Sequence, residues 1–248
     1  MSALASAADF SVHQVLEALA YAAAGLLYLR DRRRAGDALA DPDRLSLIVA
    51  AAVGAAIGSR ALYWLCDPGL TARHWREVSY LAGGKTIVGA LLGGLIAVEL
   101  RKRAMGVIRP TGDLYVLPLC AGIAIGRVGC FLAGPLDHTA GRPTALPWGI
   151  AWGDSIRRHP TALYEVVFVL FLAWLLGSDP VSARPGLKFA LFLSAYLAFR
   201  LAIDFLKPEP PPLAAGLTAI QLACIAGLIY YSAIIPRRLL GAPEGLRT

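Results

Sequence analysis

The sequence predicts an all-α integral membrane protein: seven transmembrane helices in a single membrane domain over 1–248, with a small extracytoplasmic arm at 133–160 between helices four and five. Three observations carry that reading. Apolar residues make up 57% of the 248 positions and charged residues 17%, with mean hydropathy +0.58. Soluble domains run near roughly 45–50% and about 25%. Seven stretches approach the roughly 20 apolar residues that a bilayer crossing needs: 11–29, 45–65, 83–100, 114–132, 161–177, 187–206 and 216–235. Third, the basic residues between these stretches sort to one side.

That sorting sets the orientation. Loop 30–44 carries Arg30, Arg32, Arg33, Arg34 and Arg44. Loop 101–113 carries Arg101, Lys102, Arg103 and Arg109, loop 178–188 carries Arg184 and Lys188, and the tail carries Arg237, Arg238 and Arg247. The opposite side has only Arg73, Arg76, Arg142, Arg157, Arg158 and Lys207. The positive-inside rule then places the N-terminus outside and the C-terminus in the cytoplasm. The first stretch is no signal peptide, because its arginines follow it rather than precede it.

Composition excludes several classes. The chain is too apolar for a disordered or collagen-like protein. Its net charge of +7 belongs to membrane loops, so no nucleic-acid partner is implied. Cys66, Cys120, Cys130 and Cys224 form no CxxC pair and no zinc-spaced cluster, so no metal is expected.

Four cations remain: Arg60, Lys85, Arg127 and Arg200, each inside or at the rim of a predicted helix. A cation at a helix centre costs about 2.5–3.5 kcal/mol on insertion scales, so such residues are functional candidates by default. The plain alternative is a snorkelling side chain or an ion pair. With four of them in four helices, snorkelling alone is a poor account.

Each predicted helix brings its own pattern. The first carries His13, Glu17 and Tyr21 at spacing four, a polar face read as interhelical hydrogen bonding. The second carries Gly54 and Gly58, a small-residue packing face, followed by Arg60 and Tyr63. The third opens on Gly83, Gly84, Lys85 and Thr86 and runs on through Gly89, Gly93 and Gly94. So much glycine suggests an irregular, ligand-lined entry, although the spacing fails for a phosphate loop. The fourth ends Gly126-Arg127-Val128-Gly129-Cys130-Phe131, where a guanidinium can hold a phosphate through two parallel hydrogen bonds. The arm holds Trp148 and Trp152 in a run that alternates enough for a short hairpin, with the rings at headgroup level. His159-Pro160 precedes Tyr164 and Glu165 at the start of the fifth, with Pro160 in its first turn. The sixth aligns Tyr196, Arg200 and Asp204 on one face, with Asp204 expected to hold Arg200 in place.

Taken together, these motifs resemble the bacterial prolipoprotein diacylglyceryl transferase family over nearly the whole chain. The resemblance rests on Gly54-xxx-Gly58 with Arg60 and Tyr63, on Gly83-Gly84, and on Gly126-Arg127-x-Gly129-x-Phe131. It rests also on Leu146-Pro147-Trp148-Gly149, on His159-Pro160-xx-Leu163-Tyr164-Glu165, and on Tyr196-xxx-Arg200-xxx-Asp204. It implies a seven-helix protein of the bacterial inner membrane with a periplasmic arm. The implied reaction moves the diacylglyceryl group of phosphatidylglycerol to a prolipoprotein cysteine thiol and releases glycerol 1-phosphate. Phosphatidylglycerol, or a similar anionic phospholipid, and the prolipoprotein cysteine would be its partners, and no cofactor is implied.

On that basis Arg127 and Arg200 clamp the lipid phosphate, with Lys85 and Arg60 assisting. His159 serves as base with Tyr164 or Glu165 in support, and Tyr196 and Arg200 complete the catalytic set. Asp204, Tyr164, Gly126, Gly129, Gly83 and Gly84 shape the site. The chain departs from the family pattern at several places. Val88 stands where the family has a histidine, Cys130 where it has an asparagine, and Ala133 and Pro135 where it has a second asparagine and an acidic residue. Asp204 replaces a glutamate, and Lys85 is an added cation. These changes mark a divergent branch. The alternatives are a non-catalytic phospholipid-binding protein of the same fold, and a transporter, which the absence of internal repeats disfavours.

Overall fold

The computed structural model describes residues 2–35, 39, 41–134, 140–177, 184–208 and 210–240. The side chains of His13, Pro135, Arg238 and Arg247, and residues 135–139 of the arm, lie outside the described residues. Nine α-helices are described: α1 Ser2–Ala35, α2 Asp41–Cys66, α3 Pro68–His74, α4 Val78–Ala82, α5 Ile87–Ala104, α6 Val116–Ala133, α7 Thr161–Leu176, α8 Leu187–Ile203 and α9 Ala219–Leu240. Single 3-10 turns at Asp113–Tyr115 and Asp204–Leu206 precede α6 and follow α8. No strand occurs among the described residues. The arm's hairpin reduces to isolated bridges of Arg158 to Pro143 and to Ile150.

Four stretches are long and apolar enough to cross a bilayer: Asp41–Cys66, Asp113–Ala133, Leu187–Leu206 and Ala219–Arg237. Thr161–Leu176 is an apolar helix of shorter reach. The outer faces of these helices are apolar, with Ile57, Val167, Trp174 and Ile229 each at least 65% exposed. Arg127, Glu165, Arg200, Asp204 and Gln221 are buried inside. That inverted polarity suits a lipid solvent, since soluble monomers rarely expose such contiguous apolar surface. The chain is an all-α membrane protein.

The helices pack chiefly as α2 on α5, α1 on α6, α6 on α7, and α8 on α9. Glycine explains the first of these. A Cβ on Gly54 would stand 2.5 Å from the Gly93 carbonyl oxygen, and one on Gly58 would stand 2.4 Å from that of Gly89. The reverse contacts from Gly89 and Gly93 are as short, at 2.3 Å. Two small-residue faces therefore interlock backbone to backbone. Gly89 and Gly93 pack helices and do not line a ligand entry, which corrects the expectation drawn from that glycine-rich stretch.

The start of the third predicted segment also moves. α5 begins at Ile87, where Thr86 Oγ1 accepts from the Gly89 N–H at 3.2 Å as an N-cap. Gly83 ends α4, and Gly84 takes a left-handed φ of +43° with the Tyr63 ring where a Cβ would sit. Helices α3 and α4 went unread because their polar, aromatic stretch resembles a loop. Asp67 caps α3 by accepting from the Leu70 N–H at 2.8 Å. At the far end, Asp113 accepts from the N–H groups of Gly186 at 2.5 Å and Phe189 at 2.8 Å, fixing the start of α8 beside α6. The core between these helices centres on Val88, Val116, Cys120, Phe192, Leu193 and Leu197.

Candidate functional site: an arginine pair on one buried glutamate

Arg127 comes from the last turns of α6, Glu165 from the first turns of α7, and Arg200 from near the end of α8. The three meet inside the bundle. Glu165 Oε2 lies 3.0 Å from Arg127 Nε and 3.3 Å from Arg200 Nη1. Tyr196, one turn before Arg200 on α8, donates its hydroxyl to Glu165 Oε1 at 2.6 Å. Asp204 Oδ1 stands 3.6 Å from Arg200 Nη2 on the other side. All these side chains are buried.

The cluster is balanced by design of charge: two guanidiniums, two carboxylates. Such a group survives in a low dielectric only because each charge is paired. Glu165 holds two like charges near one oxygen, where unpaired cations would repel by several kcal/mol (about 4 kcal/mol at 4 Å for a near-surface dielectric). The donors are thereby preorganised before any ligand arrives.

Asp204 is fixed in turn by α9. Thr218 Oγ1 donates to Asp204 Oδ2 at 2.6 Å. The same hydroxyl oxygen accepts from the Gln221 N–H at 3.1 Å, while Gln221 Oε1 accepts from the Thr218 N–H at 2.9 Å. This is a capping box. Its Thr-x-x-Gln spacing ahead of an apolar run was visible in the sequence, and neither residue was singled out there.

Several expected site residues find other partners. Lys85 is exposed and pairs with Glu17 of α1, which also accepts from Tyr21 at 3.2 Å. Arg60 donates to the carbonyls of Ala56 at 3.3 Å and Ala82 at 3.5 Å. The partners of both belong to α1, α2 and α4, not to the arginine cluster. Gly129 is buried on α6, and Gly126 has open space where a Cβ would stand. Val88 is buried in the core, and Cys130 Sγ accepts from Arg127 Nη1 at 3.7 Å. The four cysteines form no disulfide with one another.

The arm closes over this end of the bundle. The Arg142 N–H donates to the Leu206 carbonyl at 2.7 Å, and Arg142 Nε donates to that of Lys207 at 3.1 Å. On its other edge the His159 N–H donates to the Arg142 carbonyl at 3.1 Å. Trp152 Nε1 reaches the Phe131 carbonyl at 3.3 Å. A small, partly open crevice lies between, lined by Cys130, Phe131, Gly134, Trp152, Pro160 and Thr161. Pro160 is the N-cap of α7, one position earlier than its expected place.

His159 is turned toward Tyr164. Trp148 Nε1, a donor only, gives its hydrogen to the Tyr164 hydroxyl oxygen at 2.8 Å. The Tyr164 hydroxyl also shares a hydrogen bond with His159 Nδ1, 3.3 Å away. Trp148, Tyr164 and His159 thus form one chain of side-chain contacts across the start of α7. On the exposed rim of the arm, the hydrogen bond from Arg158 to Asp154 at 2.6 Å holds the Asp154 carboxyl below its ordinary value.

The sequence model of the family described as prolipoprotein diacylglyceryl transferase matches residues 5–236. A phosphatidylglycerol–prolipoprotein diacylglyceryl transferase of Bordetella avium is 36% identical over 192 residues, covering 73% of this chain and 70% of the relative. The protein of that name from Bordetella parapertussis is 34% identical over 218 residues, covering 79% and 80%. The one from Methylococcus capsulatus is 30% identical over 243 residues, covering 88% of both. The match takes in all of the elements that build the cluster, from Arg127 on α6 to Thr218 ahead of α9, and the chain belongs to the prolipoprotein diacylglyceryl transferase family.

Proposed function

We propose that this chain transfers the diacylglyceryl group of phosphatidylglycerol to the cysteine thiol of a prolipoprotein and releases glycerol 1-phosphate. The observation that carries the proposal is the Arg127–Glu165–Arg200 cluster. Two forks from different helices share one carboxylate inside an apolar bundle. Such forks also suit another oxyanion with one negative charge over two oxygens, which is what a phosphodiester offers. The phosphate engages the two guanidiniums at their free edges, and Tyr196 keeps Glu165 aligned. As the carbon–oxygen bond to phosphate breaks, negative charge grows on the leaving oxygen. Fixed cations in a dry site stabilise that charge without reorganising.

In this reading all seven long helices, α1, α2 and α5–α9, cross the inner membrane. The N-terminus and the arm lie outside, and the C-terminus is cytoplasmic. The cluster then sits at the outer leaflet, where both lipid and exported lipobox cysteine arrive. Arg127 and Arg200 bind phosphate, Glu165, Tyr196 and Asp204 position them, and the His159–Tyr164–Trp148 chain braces the arm. Arg60 on α2 and Lys85 ahead of α5 lie on the approach.

The test is direct. Purified protein is mixed with phosphatidylglycerol micelles and a lipobox peptide, and the peptide is weighed by mass spectrometry. A diacylglyceryl thioether is expected, and Arg200→Lys should lose most of it, since a point charge cannot replace a fork. An unmodified peptide at every condition removes the reading. Burial of Val88 and the Arg127–Cys130 contact, where the family pattern has polar groups, favour a second reading: a phospholipid-binding protein without turnover. It predicts saturable binding of phosphatidylglycerol with no product.

A further inference from the structure

Charge pairing and hydrogen bonding part company at Arg200. Its Nη1 donates to Glu165 Oε2 at 3.3 Å. On the other side its Nη2 stands 3.6 Å from Asp204 Oδ1, beyond the hydrogen-bonding range of about 2.7–3.2 Å. Arg200 Nε and Asp204 Oδ1 are both buried with no hydrogen-bond partner among the described residues. The two residues are each only 4% exposed. Coulomb attraction falls only as the inverse of distance, so Asp204 still offsets the Arg200 charge at this range. The donors on that edge of the guanidinium are nevertheless unspent.

The restraint on Asp204 comes from the start of α9. The Thr218 hydroxyl has a single hydrogen. Its oxygen accepts the Gln221 N–H at 3.1 Å, and the hydrogen goes to Asp204 Oδ2 at 2.6 Å. A tight turn sets Thr218 in place. The Leu217 N–H donates to the Ala214 carbonyl at 2.8 Å, and Ala215 and Gly216 between them are left-handed at φ +50° and +75°. Ala215 carries a Cβ, and such a residue stays left-handed only where its surroundings impose it. Without the tether, an aspartate one helical turn after an arginine is free to close on it through charge-assisted hydrogen bonds.

We propose that Thr218 is a positioning residue of the phosphate clamp: by tying Asp204 to α9 it keeps that carboxylate out of hydrogen-bond reach of Arg200 and leaves the Nε–Nη2 edge of the guanidinium open for the lipid phosphate; this rests on the transferase reading above. Asp204 is then a held-off counter-charge, which offsets a buried cation without consuming its donors. Bonded directly to Arg200, the same carboxylate would compete with the phosphate, because both are anions that take a fork of N–H groups. Glu165 already holds the Nη1 side, so the Asp204 side is the one left for the lipid.

The experiment measures kcat and KM for phosphatidylglycerol, in micelles with a lipobox peptide, for the wild type and three variants. Thr218→Ser keeps the donor and should match the wild type within about twofold. Thr218→Val keeps the shape without the hydroxyl, so Asp204 closes on Arg200. Its KM for the lipid should rise about tenfold or more with kcat changed far less, as when a hydrogen bond to a charged group is lost from binding. Thr218→Val combined with Asp204→Asn removes the competing carboxylate and should recover most of that KM. A helix start weakened by the valine would lower both valine variants alike, and a KM that the second substitution does not recover overturns the proposal. An unchanged KM in Thr218→Val overturns it too and leaves the transferase reading standing. If Thr218→Val does not fold, Thr218→Gly takes its place, since glycine serves at a helix N-cap at little cost and has no donor. Absence of thioether from the wild type removes the transferase reading. Dissociation constants for phosphatidylglycerol then carry the same comparison, and equal values for the wild type and Thr218→Val overturn the tether.

Discussion

Arg127 and Arg200 reach the same oxygen of Glu165, at 3.0 and 3.3 Å, although they stand on different helices. The carboxylate is thus the keystone of the bundle's polar interior. Glu165→Gln keeps the shape and removes the charge. It leaves two buried guanidiniums against a neutral amide, the situation in which breaking one partner of a buried pair costs about 3–5 kcal/mol. Thermal unfolding in detergent should show a marked loss of stability, and transfer should fall with it. Glu165→Asp should fall between. An unchanged melting midpoint for Glu165→Gln would mean that the arginines find other counter-charges.

The second prediction concerns the α2–α5 seam. A methyl on Gly93 would meet the Gly54 carbonyl oxygen at 2.3 Å, backbone that cannot rotate away. Gly93→Ala should force the helices apart and cost about 1–3 kcal/mol, the usual range for overpacking. Gly126→Ala is the control, because nothing lies within 4 Å of that position, and it should be neutral within error. Equal melting midpoints for the two variants would dismiss the seam as a source of stability.

Hydropathy and glycine spacing announced the long helices, since both are properties of single segments. The partners of the glycines were harder to read. Gly54 and Gly58 were recognised as a packing face, but Gly89 and Gly93 were read as a ligand entry, because spacing on one helix says nothing about what it meets. The arginines stood out because a buried cation is costly wherever it falls. Their meeting on Glu165 is a property of three helices at once, and periodicity does not carry that.

The third prediction tests the sidedness that places the cluster at the outer leaflet. Asp154 in the arm and Arg103 at the end of α5 are both exposed. In a background with Cys130→Ser, Asp154→Cys should react with a membrane-impermeant maleimide added to spheroplasts, and Arg103→Cys should react only after lysis. The buried Cys66, Cys120 and Cys224 should stay silent in both. The reverse pattern would move the arm to the cytoplasm and separate the site from exported acceptors.

The last prediction turns on Val88 and Cys130. Val88 is buried in the core and can neither take nor give a proton, and Cys130 offers Arg127 only a weak sulfur acceptor at 3.7 Å. Cys130→Asn would place an amide with both donors and acceptors beside Arg127. Val88→His would add a titrating ring, with an overpacking cost of about 1–3 kcal/mol at so tight a position. The double variant should transfer faster than the wild type, since a proton-handling residue typically contributes about 10²–10⁴-fold in rate. It should also better rescue cells depleted of their own diacylglyceryl transferase. Full rescue by the unmodified chain, with no further gain in the variant, would show that Val88 and Cys130 are packing residues and that the present polar set is sufficient for the reaction.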